Sequence, residues 1–133
     1  MSTILIVEDN EKNLKLVRDV LQVKGHSTLE ATTAEEGIRI AAERMPDLVL
    51  MDIQLPGMNG IGALRVLRAD PATAAIPVIA VTASVMQQDR NLITDAGFDG
   101  YVAKPISLKE FLEAVRIALA HRGQGTASAG APD

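Results

Sequence analysis

The sequence has no cysteine and no tryptophan, and its only aromatic residues are one tyrosine and two phenylalanines among 133 residues. Without cysteine the chain cannot form disulfides, thiolate metal sites or a cysteine nucleophile. So few aromatic rings cannot build the stacking platform that single-stranded nucleic-acid binding requires. Hydrophobic residues nevertheless make up 47% of the chain, so the core must consist mainly of leucine, isoleucine, valine and alanine.

The sequence also lacks a basic surplus and a long apolar run. Its 13 basic and 17 acidic residues give a net charge of −4, which argues against binding to a nucleic-acid backbone. No apolar stretch approaches the roughly 20 residues that cross a bilayer, and the N-terminus lacks the basic region of a signal peptide. We therefore expect a cytoplasmic protein with no nucleic-acid partner and no membrane insertion.

Short β-branched apolar runs alternate with amphipathic stretches along the chain, which predicts five strands and five helices. The predicted strands span residues 3–7, 27–31, 48–51, 78–81 and 100–103. This alternation implies a parallel sheet covered by helices on both faces, an α/β fold in three layers. The run at 48–51 is apolar throughout, so we expect it to be a central strand buried on both faces.

Capping residues and apolar spacing predict where the helices lie. The first three cover about 11–24, 34–44 and 60–69, and the last two begin after Ser84 and Ser107. The apolar faces of the last two are expected to carry Val85, Leu92, Ile93 and Ala96, and Leu108, Phe111, Leu112, Val115 and Leu119. Residues 122–133 have no apolar periodicity, so we divide the chain into a domain over 1–121 and a disordered tail over 122–133.

Polar residues follow four of the predicted strands. Glu8 and Asp9 follow the first, Asp52 the third, Thr82 the fourth and Lys104 the fifth. The carboxyl ends of parallel strands meet at one edge of a sheet, where ligands bind. Clustered carboxylates repel one another, so they must bind a cation or take up protons. Carboxylate oxygens suit Mg²⁺, and a lysine ammonium beside them suits phosphoryl oxygens.

Four segments of the sequence resemble the receiver domain of two-component response regulators. They are Ile-Leu-Ile-Val-Glu8-Asp9-Asn, Pro-Asp-Leu-Val-Leu-Met-Asp52-Ile-Gln-Leu-Pro-Gly-Met-Asn-Gly60, Ile-Pro-Val-Ile-Ala-Val-Thr82-Ala and Gly-Tyr101-Val-Ala-Lys104-Pro105-Ile. Together they span almost all of residues 3–121, and their order and placement at strand ends make the match specific. The resemblance implies a flavodoxin-like, doubly wound five-stranded parallel sheet with strand order 2-1-3-4-5.

The resemblance also implies a role for each acidic residue. Asp52 matches the position that accepts a phosphoryl group, giving an acyl phosphate. Asp9 and Asp52, together with the main-chain carbonyl of Gln54, would ligate Mg²⁺, with Mn²⁺ as an alternative ion, and Glu8 would act through bound water.

The resemblance also implies a role for Gln54 and Ser84, which lie two residues after Asp52 and Thr82. They would tune how water reaches the acyl phosphate.

The remaining matched residues are implied to read out phosphorylation. Lys104 would pair with the phosphoryl group, and its peptide bond to Pro105 is expected to be cis. Thr82 is the implied switch hydroxyl and Tyr101 the aromatic residue coupled to it. The implied partners are a histidine kinase or histidine phosphotransfer protein, and an output protein that binds the face formed by the fourth helix, fifth strand and fifth helix.

Each of these residues also has an ordinary structural interpretation. An acid after a strand is commonly a turn or helix-cap residue, and Thr82 and Tyr101 are good strand formers. Their joint placement at one edge favours a functional site. The two histidines, His26 and His121, lack such support, and we expect both to be surface residues.

The resemblance implies a stand-alone phosphorylation switch similar to regulators of cell division, catalysing only its own phosphotransfer and slow dephosphorylation. A receiver fragment of a hybrid histidine kinase is the alternative. An aspartyl phosphatase is disfavoured, because Gln54 stands where such enzymes usually have a second acid. Nucleotide or flavin binding is also disfavoured, because Glu8 and Asp9 replace the glycine-rich phosphate loop after the first strand.

Overall fold

A computed structural model describes residues 2–55, 57–83 and 87–130, and the side chains of 87–90 and 121–130 lie outside the description. Over these ranges, five strands alternate with five helices. The elements are β1 (Thr3–Val7), α1 (Glu11–Val23), β2 (Ser27–Ala31), α2 (Ala34–Arg44), β3 (Leu48–Asp52), α3 (Gly60–Ala69), β4 (Val78–Thr82), α4 (Gln87–Ala96), β5 (Gly100–Ala103) and α5 (Leu108–Gly130). These bounds agree closely with the predicted elements up to β5.

The strands form one parallel sheet in the order β2-β1-β3-β4-β5, which confirms the predicted flavodoxin-like fold. β3 lies between β1 and β4, and its register pairs Val7 with Met51 and Asp52 with Val81. All five residues of β3 are buried. The last residues of neighbouring strands therefore lie side by side at one edge of the sheet.

The side chains of β1 alternate between two hydrophobic clusters, as expected for a strand covered on both faces. Leu5 and Val7 belong to the cluster that includes buried residues of α2, α3 and α4. Ile4 and Ile6 belong to the other cluster, which includes buried residues of α1 and α5. The helices thus cover the two faces of the sheet and give the predicted three layers.

Polar side chains cap the helices that begin near the carboxyl ends of the strands. Asn10 Oδ1 accepts hydrogen bonds from the N–H groups of Lys12 and Asn13 at 3.0 and 3.1 Å. Asn59 Oδ1 accepts from the Gly62 N–H at 2.9 Å. Such caps stabilise a helix by about 1 kcal/mol. They fix where α1 and α3 start relative to the strands that precede them.

At the opposite edge of the sheet, Arg68 joins the end of α3 to the segments before β4 and β5. Its guanidinium donates to the carbonyls of Ala74, Ile76 and Gly97 at 3.0, 2.6 and 3.3 Å. It also pairs with Asp99 Oδ2 at 2.9 Å, and this carboxylate oxygen accepts from the Val78 N–H at 2.8 Å. A single side chain therefore ties three segments together.

Two predicted inward-facing leucines lie outward instead. Leu92 is 58% exposed, whereas its neighbour Ile93 is buried, because adjacent helical residues point about 100° apart. Leu108 is 45% exposed. It is the first residue of α5, and burial in this helix begins with Phe111, almost one turn later.

The prediction that His26 is a surface residue also needs correction. Its side chain is half-buried, and Nδ1 is enclosed without a hydrogen-bond partner among the described residues. Ser84 and Val85, and the side chain of His121, lie outside the described parts of the chain.

The final helix is longer than the sequence predicted. α5 continues to Gly130, whereas residues 122–133 were expected to form a disordered tail. Residues 122–130 contain two alanines, which favour a helix, and three glycines, which disfavour it, so residue preference does not explain this extension. The functional division of the chain at residue 121 stays a prediction. None of the helices in the described ranges has both the length and the apolarity needed to span a bilayer.

Candidate functional site

The polar residues at the ends of the strands converge at one edge of the sheet. Asp52 is the last residue of β3 and Thr82 the last of β4, and Glu8 directly follows β1. These three residues are only 2–4% exposed, so they are far more buried than polar residues usually are. Asp9 is exposed and Lys104 is partly buried. At this edge Glu8 and Asp52 are therefore buried, whereas Asp9 is accessible to solvent.

Both carboxylate oxygens of Asp52 have a donor. Lys104 Nζ lies 2.9 Å from Oδ2, and the Gln54 N–H donates to Oδ1 at 2.9 Å. A buried carboxylate is stable only when its charge is paired and its oxygens are hydrogen-bonded. The arrangement fixes the orientation of the Asp52 carboxylate at the end of a rigid central strand.

Glu8 is held beside Asp52 by two neighbours. Its Oε1 lies 3.3 Å from Lys104 Nζ, and its Oε2 accepts from the Asn10 N–H at 3.2 Å. Burial, a hydrogen bond to Asp52 and the negative charge of Asp52 together raise the pKa of Glu8 from 4.5 to about 7, against the opposing effects of Asn10 and Lys104. The carboxylates of the site can therefore carry more negative charge than the single ammonium of Lys104 neutralises.

Lys104 is placed by the backbone of the neighbouring strand. Its N–H donates to the Thr82 carbonyl at 2.8 Å, and its peptide bond to Pro105 is cis, the isomer expected from the sequence. Burial alone would lower the pKa of the Lys104 ammonium. The hydrogen bond and charge of Asp52, together with Glu8, outweigh burial and raise it. Lys104 therefore stays charged and serves as a fixed cation at the site.

The three acids lie close enough together to hold a metal ion. One carboxylate oxygen from each of Glu8, Asp9 and Asp52 can be chosen so that all three lie within 4.8 Å of one another. Hard cations such as Mg²⁺ prefer oxygen ligands of this kind and retain several waters. The exposed Asp9 leaves room for those waters. The chemistry of the donors thus fits a divalent cation bound at this edge.

Of the two predicted switch residues, Thr82 lies at the same edge of the sheet as the acids, whereas Tyr101 lies two residues before the end of β5 and apart from them. Tyr101 is paired with Ala80 in the register of β4 and β5, while Thr82 is paired with Ala103 at the end of the same strands. Tyr101 is 38% exposed, so its side chain reaches solvent. The structure therefore brings Thr82 to the same edge as the group formed by Glu8, Asp9, Asp52, Gln54 and Lys104, and it places Tyr101 on the neighbouring surface.

Asn10 is a residue type that caps helices, and its place after the two acids predicts the cap of α1 but not its contact with Glu8. Asn10 caps α1 through its side chain and holds Glu8 through its N–H. These hydrogen bonds fix the position of Glu8 relative to the first turn of α1.

Residues 4–116 match the family model of the response regulator receiver domain. The chain belongs to this family. It is 42% identical over 114 residues to the polar-differentiation response regulator DivK of Brucella ovis, an alignment that covers 86% of this chain and 93% of that protein. This family membership places the chain among the regulators of two-component signalling.

Solved structures of receiver domains share the fold. The receiver domain of the sensor histidine kinase PA1611 from Pseudomonas aeruginosa PAO1, with magnesium in its active site cleft, has a TM-score of 0.83 and 31% identity. That alignment covers 90% of this chain and 98% of the other. A CheY-like receiver domain protein from Methanospirillum hungatei JF-1 has a TM-score of 0.83 and 28% identity, covering 94% and 98% of the two chains.

Proposed function

We propose that the protein is a phosphorylation switch in which Asp52 accepts a phosphoryl group in a magnesium-dependent reaction. The observation that carries this proposal is the pairing of the buried Asp52 carboxylate with Lys104 at 2.9 Å, beside Glu8 and Asp9. A nucleophilic carboxylate, a fixed cation and a cation-binding acid pair are the groups that phosphoryl transfer requires.

In the proposed reaction, a carboxylate oxygen of Asp52 attacks the phosphorus of a phosphohistidine on a partner protein. A P–O bond forms as the P–N bond breaks, and the departing imidazole nitrogen keeps the electron pair and takes up a proton from solvent. The Lys104 ammonium, already in contact with Asp52, would bind a phosphoryl oxygen and offset its charge. The reaction ends with the acyl phosphate on Asp52.

The proposed metal ligands are Asp9, Asp52 and the main-chain carbonyl of Gln54, with Glu8 acting through a bound water. Mg²⁺, or Mn²⁺ in its place, would neutralise charge on the transferring phosphoryl group. Glu8 and Asp9 contribute the negative charge that attracts the cation. The hydrogen bond from the Gln54 N–H to Asp52 keeps these two residues in a fixed relative position.

We assign the switch to Thr82 and Tyr101, which lie on adjacent strands leading to the site. Phosphorylation would draw the Thr82 hydroxyl toward the phosphoryl group and shift the equilibrium between two arrangements of Tyr101. The output surface is proposed to be formed by α4, β5 and α5. Leu92, Tyr101 and Leu108 supply exposed apolar side chains from these three elements.

The proposed partners are a histidine kinase or phosphotransfer protein that donates the phosphoryl group, and an output protein that binds this surface in the cytoplasm. The similarity to DivK supports a role as a stand-alone regulator, with control of cell division as the process. A receiver segment of a hybrid histidine kinase is the second candidate, favoured by the similarity to the PA1611 receiver. We propose that the chain does not turn over external substrates.

Incubation with a small-molecule phosphodonor, followed by intact-protein mass spectrometry, tests the proposal. We expect the parent to gain the mass of one phosphoryl group with Mg²⁺ and to remain unmodified with a chelator. Asp52→Asn should remain unmodified in both conditions. Asp47→Asn is the matched control, because Asp47 accepts the Thr3 N–H before β3, far from the acids, and should be labelled like the parent. Equal labelling of Asp52→Asn would overturn the proposal.

A further inference from the structure

The first residue of α3 lies directly against the backbone at the end of β3. The Gly60 N–H donates a hydrogen bond to the Ile53 carbonyl at 3.0 Å. A Cβ atom at Gly60 would lie 2.6 Å from the Asp52 carbonyl oxygen and 2.9 Å from Ile53 Cα. Both neighbours are backbone atoms and cannot turn aside as a flexible side chain would. Only glycine therefore allows α3 to begin this close to Asp52.

The peptide that Gly60 contacts is also tied to the site. The Ile53 N–H donates to the Val81 carbonyl of β4 at 3.0 Å, and the Gln54 N–H donates to Asp52 Oδ1 at 2.9 Å. The start of α3, the orientation of the Asp52 carboxylate and the position of Gln54 are thus connected through three consecutive residues. A displacement at any one of them is transmitted to the other two.

We propose that Gly60 is a positioning residue that sets the geometry of the Asp52 site for metal binding and phosphoryl acceptance. This inference rests on the proposed function, since it concerns the same reaction. A methyl group at Gly60 must open the 2.6 Å approach beyond 3.0 Å, because real Cβ atoms essentially never lie closer than that to another heavy atom. Mg²⁺ demands near-ideal octahedral geometry, and misplacing catalytic groups by about 1 Å can cost on the order of 10²-fold in rate.

Three variants separate positioning from stability. Gly60→Ala adds the obstructing methyl group. Gly62→Ala adds a methyl group to the same helix, but its nearest neighbour is Met58 Cγ at 3.2 Å, a flexible side chain that can move. Leu67→Ala removes a buried side chain from α3 and so destabilises the fold by a core cavity, without touching the backbone at Asp52.

Two quantities are measured for each variant, the affinity for Mg²⁺ by isothermal titration calorimetry and the rate of labelling by a small phosphodonor. Both are measured well below the melting temperature of the variant. Gly60→Ala should weaken Mg²⁺ binding and slow labelling by about tenfold or more, while the other two variants stay within about twofold of the parent. Parent-like binding and labelling by Gly60→Ala would overturn the inference. An equal loss in Leu67→Ala would also overturn it, because stability alone would then account for the effect.

Hydrogen exchange in the parent provides a test that does not depend on any variant folding. If the position of Gly60 is coupled to the geometry of the metal site, Mg²⁺ binding should slow hydrogen exchange at the Gly60 amide by about tenfold or more. Exchange at the Gly62 amide should slow less. Unchanged exchange at Gly60 in Mg²⁺-bound protein would contradict the inference alone. Failure of the parent to bind Mg²⁺ or to be labelled would instead overturn the proposed function, and this inference with it.

Discussion

The ammonium nitrogen of Lys104 lies 2.9 Å from Oδ2 of Asp52, although 52 positions separate the two residues along the chain. The same ammonium lies 3.3 Å from Oε1 of Glu8. Two buried carboxylates therefore share one cation. Because opposite charges attract more strongly away from water, this pairing decides how the site behaves when its charges change.

Replacing Lys104 by methionine removes the charge but keeps a side chain of similar length. Without metal, Lys104→Met should lose about 3 kcal/mol of stability, because two buried carboxylates lose their partner. It should bind Mg²⁺ more tightly than the parent, since no ammonium competes for the same oxygens, yet accept a phosphoryl group more slowly. Urea unfolding and calorimetric titration measure both effects. Lys109→Met, on the exposed side of α5, is the control and should behave like the parent.

The raised pKa of Glu8 predicts how stability depends on pH. The folded state holds this proton up to about pH 7, whereas the unfolded chain releases it near the ordinary pKa of 4.5. The contribution of Glu8 to stability is therefore complete below pH 4.5 and is lost as the pH rises toward 7, a loss of about 3 kcal/mol without metal. Urea unfolding across this range measures it, and Glu8→Gln should lack this component.

The affinity for Mg²⁺ should also depend on whether Glu8 carries its proton. Because Mg²⁺ binds near ionised carboxylates, its affinity for the parent should rise as Glu8 loses its proton toward pH 7. Calorimetric titrations in two buffers of different ionisation enthalpy would reveal the released proton. An affinity that is independent of pH over this range would show that Glu8 does not contribute to the metal site.

Arg68 should be the most important surface-facing side chain for stability on α3. Arg68→Ala removes a donor from three carbonyls and the partner of Asp99, and should cost about 2 kcal/mol in the free energy of unfolding. Arg68→Lys keeps the charge but not the forked geometry, so its loss should be intermediate. Arg65→Ala, an exposed position on the same helix, should change stability by less than about 0.5 kcal/mol.

The sheet and the acidic cluster could be predicted from the sequence because parallel strands leave a local signature. Residues 48–51 form an unbroken apolar run, and Asp52 ends it. Once the strands are placed, parallel pairing puts their carboxyl ends at one edge. Strand order and direction alone therefore predict that Glu8, Asp9, Asp52 and Lys104 lie together, as they do in the structure.

The features that were missed depend on contacts between distant residues. Nothing near Arg68 in the sequence indicates that its guanidinium reaches Asp99, 31 positions away. Leu108 lies outward because it is the first residue of α5, before the first buried position at Phe111, and helical periodicity does not show where burial begins. The sequence does not show how closely Gly60 approaches Asp52, because the atoms that surround this glycine are set by tertiary packing.

Transfer from a radiolabelled phosphohistidine protein tests the central claim most directly. The parent should acquire label only with Mg²⁺, the label should be lost in alkali and to hydroxylamine as an acyl phosphate requires, and Asp52→Asn should acquire none. Label that persists in Asp52→Asn, or that resists alkali, would contradict the assignment of Asp52 as the phosphoryl acceptor.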